Sequence, residues 1–308
     1  MSRLRVAVVG GGASGEHDVS LASAASVAAA LDPATYDVVR LTIGRDGSWG
    51  DLGLGGAVHV LQSCDVVLPV VHGPHGEDGS LAALCELAGV PYVGSGVRAG
   101  ALAMDKWATK LVAEAVGVET APGVLLTPAT APSYAWTRPV VVKPVAAGSS
   151  LGVSLVTRPT ELGSALADAF AEDDRVLVED VVPGREVDVA VLARPDGSRV
   201  VSPALEIVAA GVFGYEAKYG GHARFLVPAP LDETDRKELE DAAVAVYDAL
   251  GCAGVARVDF FATLEGPVLN EVNTMPGFTA ESQVPKMFAA AGLSYPALLD
   301  LLVHDCLA

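Results

Sequence analysis

The most constraining stretch of this chain is GVARVDFFATLEGPVLNEVNTMPGFTAES, from Gly254 to Ser282. Two apolar, β-branched runs, Val255 to Thr263 and Pro267 to Val272, flank Glu265-Gly266, which is the pattern of an antiparallel hairpin. Side chains alternate across a strand. Arg257, Asp259, Glu271 and Asn273 therefore share one face, while Val258, Phe260 and Val272 take the other. Asp and Asn are poor strand residues, so in strands otherwise this apolar their stripe reads as a site rather than a solvated face. Two carboxylates and an amide oxygen are hard ligands that suit Mg²⁺, with Arg257 beside them as a fixed positive charge.

With 308 residues the chain can bury large cores and is expected to form two or three domains. No apolar run approaches the roughly 18 residues of a membrane span, so no membrane partner is expected. The apolar run near the start, Val6 to Val9, ends in glycines and reads as a first strand rather than a signal peptide. Cys64, Cys85, Cys252 and Cys306 are scattered without a C-x-x-C pair, as in a reducing cytoplasm. A net charge of -18 argues against nucleic-acid binding and requires any anionic ligand to be held by a local cluster of cations, with metal ions helping.

The N-terminal third alternates strands (Arg5 to Val9, Tyr36 to Ile43, Val66 to Val71, Pro91 to Val93) with helices (Ser20 to Leu31, Ser80 to Ala88). This rhythm predicts a parallel sheet with helices on both faces and ligands at the strand C-termini, Gly10–Glu16 and Val71–Gly79. A second segment opens with a helix from Ala101 to Gly117 and continues as a small α+β unit with a Gly/Ser-rich loop, Ala146–Gly152. The third begins with strands at Glu186–Leu192 and Val200–Ile207. It then carries a long loop, Val208–Val227, a helix from Asp232 to Leu250, the hairpin, and a last helix from Tyr295 to Cys306. So long a loop inside a compact domain is more often functional than idle.

Gly10 to Gly15 matches G-x-G-x-x-G, which raises an NADP-dependent oxidoreductase as a rival. Glu16 and Asp18 at the helix start would repel a pyrophosphate seated there, and Thr42-Ile43-Gly44-Arg45 offers no acid for a ribose. Glu16 fits a substrate ammonium or, equally, a helix N-terminal charge. Val71 to Gly79 crowds His, Glu and Asp without a third ligand at a zinc spacing, and His72, directly at the strand end, is the residue placed for a substrate. Lys143 ends a buried strand and needs an anion. The following loop, with Ser149 and Ser150, offers amides and hydroxyls suited to phosphate, and Lys106 adds a second cation. Glu179 and Glu186 are acceptors suited to an adenine amino group and ribose hydroxyls.

The pieces occur in a recognisable order. They are G-G-x-S-x-E-x-x-V-S at Gly11–Ser20, H-G-x-x-G-E-D-G at His72–Gly79, P-Y-V-G-S-G at Pro91–Gly96 and M-D-K at Met104–Lys106. V-K-P…G-S-S-x-G at Val142–Gly152, Y-E-A-K-Y at Tyr215–Tyr219, R-V-D at Arg257–Asp259 and N-E-V-N-T-M-P-G-F-T at Asn270–Thr279 follow. In this order, and over essentially its whole length, the chain resembles the ATP-grasp carboxylate–amine ligases, and most closely the D-alanine–D-alanine ligases.

The resemblance implies an α/β chain with an ATP-grasp fold, in which an N-terminal parallel α/β domain (1–97) precedes two α+β domains (98–184 and 185–308) that sandwich ATP. The loop 208–227 would be the lid. Lys106, Lys143, Ser150, Glu179, the Val182 backbone, Glu186 and Lys218 would bind ATP. Asp259, Glu271 and Asn273 would hold two Mg²⁺ ions, with Mn²⁺ as an alternative. Glu16 would bind the ammonium of the first D-alanine beside His72; Arg257 and the Gly277 amide would form the oxyanion hole; Ser282 would meet the second substrate's carboxylate. Ser149 and Tyr219 would join loop, Glu16 and lid by hydrogen bonds.

The implied reaction is phosphorylation of one D-alanine carboxylate by ATP, followed by attack of a second D-alanine amine, for peptidoglycan precursors. It implies a cytoplasmic homodimer. Two positions depart from the family pattern: Ala146-Ala147 in the phosphate loop, where relatives carry charge, and Gln283 in the second-substrate pocket, where many carry an apolar residue. Tyr219 is present as in relatives that make D-Ala–D-Ala, whereas those that use D-lactate differ around this loop, so the resemblance implies D-alanine in both positions, with D-Ala–D-Lac or D-Ala–D-Ser ligation as the alternative.

Overall fold

The computed structural model describes residues 3–208 and 224–308. The first layer is built from β1 (Leu4–Gly11), α1 (His17–Ala30), β2 (Tyr36–Ile43), α2 (Gly53–Gln62), β3 (Val66–Pro69) and α3 (Ser80–Ala88). The three strands are parallel in the order β2-β1-β3. The central strand is apolar on both faces because both are covered. Val6 and Val8 pack with Ala24 and Val27 of α1, whereas Ala7 and Val9 pack with Ala57 and Leu61 of α2 and with Leu81 and Cys85 of α3. The glycines of Gly53-Leu54-Gly55-Gly56 hid α2 from a propensity-based reading. The strand expected at Pro91–Val93 is reduced to a single bridge, Val67 to Tyr92.

The helix expected from Ala101 to Gly117 is two helices, α4 (Val97–Met104) and α5 (Lys106–Ala115). Asp105 breaks them: its backbone is extended and its carboxylate accepts the Ala108 amide at 2.9 Å, capping α5. The break places Lys106 at the first position of α5. After the short β4 (Glu119–Thr120) comes an antiparallel sheet of β5 (Gly123–Leu126), β6 (Val140–Pro144), β7 (Ser154–Val156) and β8 (Val176–Asp180), ordered β5-β8-β6-β7. Helix α6 (Leu162–Glu172) buries Ala165 and Ala169 against Val140, Val142 and Val178 of that sheet.

The third sheet is the largest. It contains β9 (Arg185–Ala193), β10 (Arg199–Val201), β11 (Leu205–Val208), β12 (Arg224–Leu226), β13 (Val255–Thr263) and β14 (Gly266–Asn273), in the order β12-β11-β9-β13-β14-β4 with β10 beside β9. The single strand expected over Val200–Ile207 is split at Pro203, which has no amide to continue a ladder. Helix α7 (Glu233–Leu250), capped by Asp232, packs its Leu239, Val246 and Leu250 on the core face. Helices α8 (Gln283–Ala290), which the sequence reading did not include, and α9 (Tyr295–Asp305) close the chain against the first layer through Phe288, Leu299 and Leu302.

The hairpin folds as its alternation predicts, except at one place. Arg257 pairs with Asn273, Val258 with Val272 and Asp259 with Glu271, but Phe260 then pairs with Leu269. Asn270 is the extra residue of a β-bulge, so Leu269 and Val272 both stay in the core while Asn270 and Glu271, neighbours in sequence, both reach the site face. The loop is Leu264-Glu265, with Gly266 at φ +117° opening β14 rather than lying in the turn.

Candidate active site

Two cavities, of about 530 and 360 Å³, lie between the sheets and share Lys106, Ala147, Arg257, Glu271 and Gln283. They are two lobes meeting on the β13–β14 face.

The first lobe is lined by the turns that follow β1 and β3, together with segment 272–283. Glu16 lies at its end and is 9% exposed. Its Oε1 accepts a hydrogen bond from Ser149 of the Gly/Ser loop. Its Oε2 lies against the backbones of Gly73 and Gly148, where a Cβ would come within 2.7 and 2.1 Å. Glycine at both positions lets the two loops close on the carboxylate. That Oε2 is buried without a hydrogen-bond partner among the described residues. An orphaned anionic acceptor is costly until a donor reaches it, and an ammonium supplies both charge and donors.

His72 lines this lobe, but its ring is fully engaged. Nδ1 lies 2.8 Å from the Met275 carbonyl, which only accepts, so Nδ1 carries the proton. Nε2 then accepts from the Ser23 hydroxyl at 3.0 Å, and Ser23 in turn accepts the Phe278 amide at 3.2 Å. Burial keeps the imidazole pKa low and the ring neutral. His72 therefore holds the Met275–Phe278 segment that carries Gly277, rather than offering the substrate a free nitrogen. Glu77 ties the same place: its two oxygens accept the Gly73 and Met275 amides at 2.9 and 3.1 Å. Gly277 and Ser282 both line the lobe. The Ser282 hydroxyl accepts the Thr279 amide at 3.0 Å at the start of α8.

The second lobe lies between the β6–β8 and β9–β14 sheets. Lys143, Ser150, Glu179, Val182 and Glu186, which the resemblance assigned to ATP, all line it. The anion that buried Lys143 requires is Glu179, whose Oε2 is 2.7 Å from the ammonium. The other oxygen of Glu179 takes Lys110, also at 2.7 Å. Burial pushes this carboxyl up, but Lys143 and Lys110 together pull it further down, so it stays ionised. Bulged Asn270 accepts from Lys143 at 3.3 Å. Ser149 and Ser150 have φ near +50° and +56°, the left-handed backbone that turns successive amides toward one concavity.

At the junction, Arg257 grips Asp259 in a two-pronged pair at 2.6 and 2.7 Å and donates to Gln283 at 2.6 Å. Gln283 passes the connection on to Asp188 at 2.7 Å. Burial opposes the guanidinium's charge, but Asp259, Asp188 and Glu271 outweigh it and hold it ionised. Lys106 bonds the Ala147 carbonyl at 2.8 Å and lies 3.4 Å from Glu271. Register sets Asp188, Asp259 and Glu271 abreast on three neighbouring strands.

Among the described residues no three His, Cys, Asp or Glu side chains alone form a metal-binding group. Asp259, Glu271 and Asn273 supply two carboxylates and an amide, which fits Mg²⁺ by donor chemistry. Asn273 donates to Asp259 at 3.0 Å, turning its amide oxygen the other way. Lys218 and Tyr219 lie outside the described residues, so only the Ser149–Glu16 half of the expected chain is on view.

Asp188, Asn270, Lys110, Glu77 and Ser23 belong to these networks and were not singled out from sequence. Asp188 had left a signal, because it interrupts a strand otherwise apolar from Val187 to Ala193.

The family description "D-ala D-ala ligase C-terminus" matches residues 129–304, and "D-ala D-ala ligase N-terminus" matches 5–59 and 52–95. The chain is 43% identical to a D-alanine--D-alanine ligase of Mycolicibacterium smegmatis, over 99% of this chain and 96% of that one. It is 41% identical to one of Rhodococcus jostii, over 99% and 97%. Among solved structures it resembles the VanG D-Ala:D-Ser ligase of Enterococcus faecalis (TM-score 0.86, 33% identity, 99% and 100% covered). It also resembles the Bacillus anthracis D-alanine--D-alanine ligase complexed with ATP (TM-score 0.82, 30% identity, 99% and 97% covered). With both halves of the family description matched and relatives similar end to end, this chain belongs to the D-alanine–D-alanine ligase family, and its fold is the ATP-grasp fold.

Proposed function

We propose that the first lobe receives two D-alanines, that the second receives ATP, and that the junction joins them into D-alanyl-D-alanine for peptidoglycan precursors, releasing ADP and phosphate. The observation that carries this is the junction itself. A lobe ending in a carboxylate whose Oε2 has no hydrogen-bond partner among the described residues, and a lobe lined by Lys143, share Lys106, Arg257 and Glu271.

Glu16 binds the first D-alanine's ammonium, which aims that substrate's carboxylate at the junction. Lys106 and Lys143 take charge from the phosphates, so the carboxylate attacks the γ-phosphate and becomes an acyl phosphate. Mg²⁺ held by Asp259, Glu271 and Asn273 neutralises phosphate charge when bound. The second D-alanine is held through Ser282, and its deprotonated amine attacks the acyl carbon. Arg257 and the Gly277 amide then receive the oxyanion, and loss of phosphate leaves the new amide bond. Acyl phosphates hydrolyse, so water must be kept out; the segment 208–227, with Lys218 and Tyr219, is assigned to that task. We divide the chain at 97 and 184, and place it in the cytoplasm as a homodimer. All four cysteines are free thiols, and no described helix is long and apolar enough to cross a membrane.

The test is phosphate release with Mg-ATP and D-alanine, L-alanine, or D-alanine paired with D-serine or D-lactate, and the product's mass. Release with D-alanine alone and a dipeptide product is expected. Release only with a mixed pair would move the acceptor specificity, and no release with any pair would overturn the reading.

A further inference from the structure

Lys110 sits one helical turn beyond Lys106 on α5, with its side chain 7% exposed. It does not line the second lobe, whereas Glu179 and Lys143 do. Its ammonium bonds the Ala121 carbonyl and Glu179 Oε1, and Lys143 takes Oε2 from the other side. One carboxylate is thus shared by two ammonium groups, and the buried trio carries a net charge of +1 by count. Without Lys110, the same carboxylate would neutralise Lys143 one for one. That would leave the phosphate side of the lobe with little net attraction from this pair, in a protein whose overall charge is -18.

We propose that Lys110, although it never reaches the cavity, sets phosphate affinity by occupying Glu179, so that Lys143 keeps uncompensated charge for the nucleotide's phosphates. The inference rests on the second lobe being the nucleotide site. Lys110 is a positioning residue that acts through Glu179, and its influence is electrostatic. It therefore discriminates between a nucleotide and its nucleoside.

The experiment is calorimetric titration of the full chain with Mg-ADP and, separately, with adenosine, which shares the base and ribose but lacks phosphate. Lys110→Met is expected to weaken ADP by roughly tenfold or more while adenosine stays within about twofold. Glu179→Gln leaves two uncompensated lysines, so the ratio of ADP to adenosine affinity rises above that of the parent. The double variant Lys110→Met/Glu179→Gln restores the single net charge and recovers most of the parent ratio. Opposite signs in the two single variants are not the result of general loosening. Equal loss of ADP and adenosine in Lys110→Met, no loss of either, or a double variant as poor as the single would overturn the proposal. Should Lys110→Met fail to fold, the sign of the Glu179→Gln change decides alone: an unchanged or lowered ratio rejects it. A parent protein that binds neither ligand would instead reject the nucleotide reading on which the proposal stands.

Discussion

Glu77 and Glu179 are the same residue with enclosed carboxyls on opposite sides of one junction, and the protein pushes them in opposite directions. Glu77 has backbone amides on both oxygens but, among the described residues, no cation in ion-pair contact. Burial, and then the neighbouring Glu16 charge, push its carboxyl up to about 8. Glu179 is buried too, yet two lysines hold it below the usual carboxylate range against the effect of burial. The first lobe has an excess of acid and, among the described residues, no cation paired with Glu16, a place the proposed ammonium substrate would take. Beside the second, Lys143 and Lys110 share the single carboxylate of Glu179, an excess of positive charge that the proposed phosphate would balance. Each lobe thus carries the complement of its proposed ligand, and preorganised charge of this kind needs no rearrangement at the moment of reaction.

The largest expected effect is at the junction, which serves both lobes. Arg257→Ala removes the proposed oxyanion donor and the guanidinium that Asp259 and Gln283 both bond. Turnover should fall about 10²- to 10³-fold or more, with circular dichroism showing the fold intact. Near-parental turnover would remove Arg257 from the chemistry.

Glu16→Gln separates the lobes. It keeps the shape but removes the charge proposed to face the ammonium. Steady-state kinetics should show the D-alanine KM raised by roughly 10- to 100-fold and the ATP KM unchanged. A rise in both would mean that Glu16 only props the loop at Gly148.

Glu77→Gln addresses the comparison through pH. A carboxyl raised from 4.5 to about 8 on folding binds a proton that the unfolded chain releases between those values. Its contribution to stability is complete below 4.5 and is lost as pH rises through about 8. The parent's melting temperature should therefore fall relative to Glu77→Gln between those limits. Glu179, with its lowered pKa, works the other way: its contribution is present above the usual carboxylate range and is lost on acidification. Parallel melting curves across that window would show that Glu77 ionises normally.

The smallest expected change is Gln283→Leu, which cuts one link between Arg257 and Asp188. A loss of about 1 kcal/mol in kcat/KM with unchanged acceptor preference is expected. A switch toward D-serine or D-lactate would make Gln283 a specificity residue instead.

Much of this was legible in the sequence where a single strand or loop carries its own pattern. The hairpin's alternation put Arg257, Asp259, Glu271 and Asn273 on one face, and Lys143 at a buried strand end required an anion. What stayed hidden depends on register and on contacts between distant segments. The bulge that brings Asn270 beside Glu271 exists only in the pairing of β13 with β14. Asp188 joins the carboxylate row because β9 lies beside β13, 71 residues later, in one particular register. The occupied nitrogens of His72 depend on Met275, 203 residues away. The break at Asp105 was readable as a capping residue, but the apolar periodicity on either side masked it.

The most direct test of the central claim follows oxygen across the junction. D-alanine labelled with ¹⁸O in its carboxylate would be turned over with Mg-ATP, and the released phosphate analysed by mass. If the substrate in the first lobe attacks the γ-phosphate held in the second, one labelled oxygen must appear in each phosphate released. Unlabelled phosphate, formed alongside dipeptide, would show that the carboxylate never bonds to phosphorus and would contradict the account.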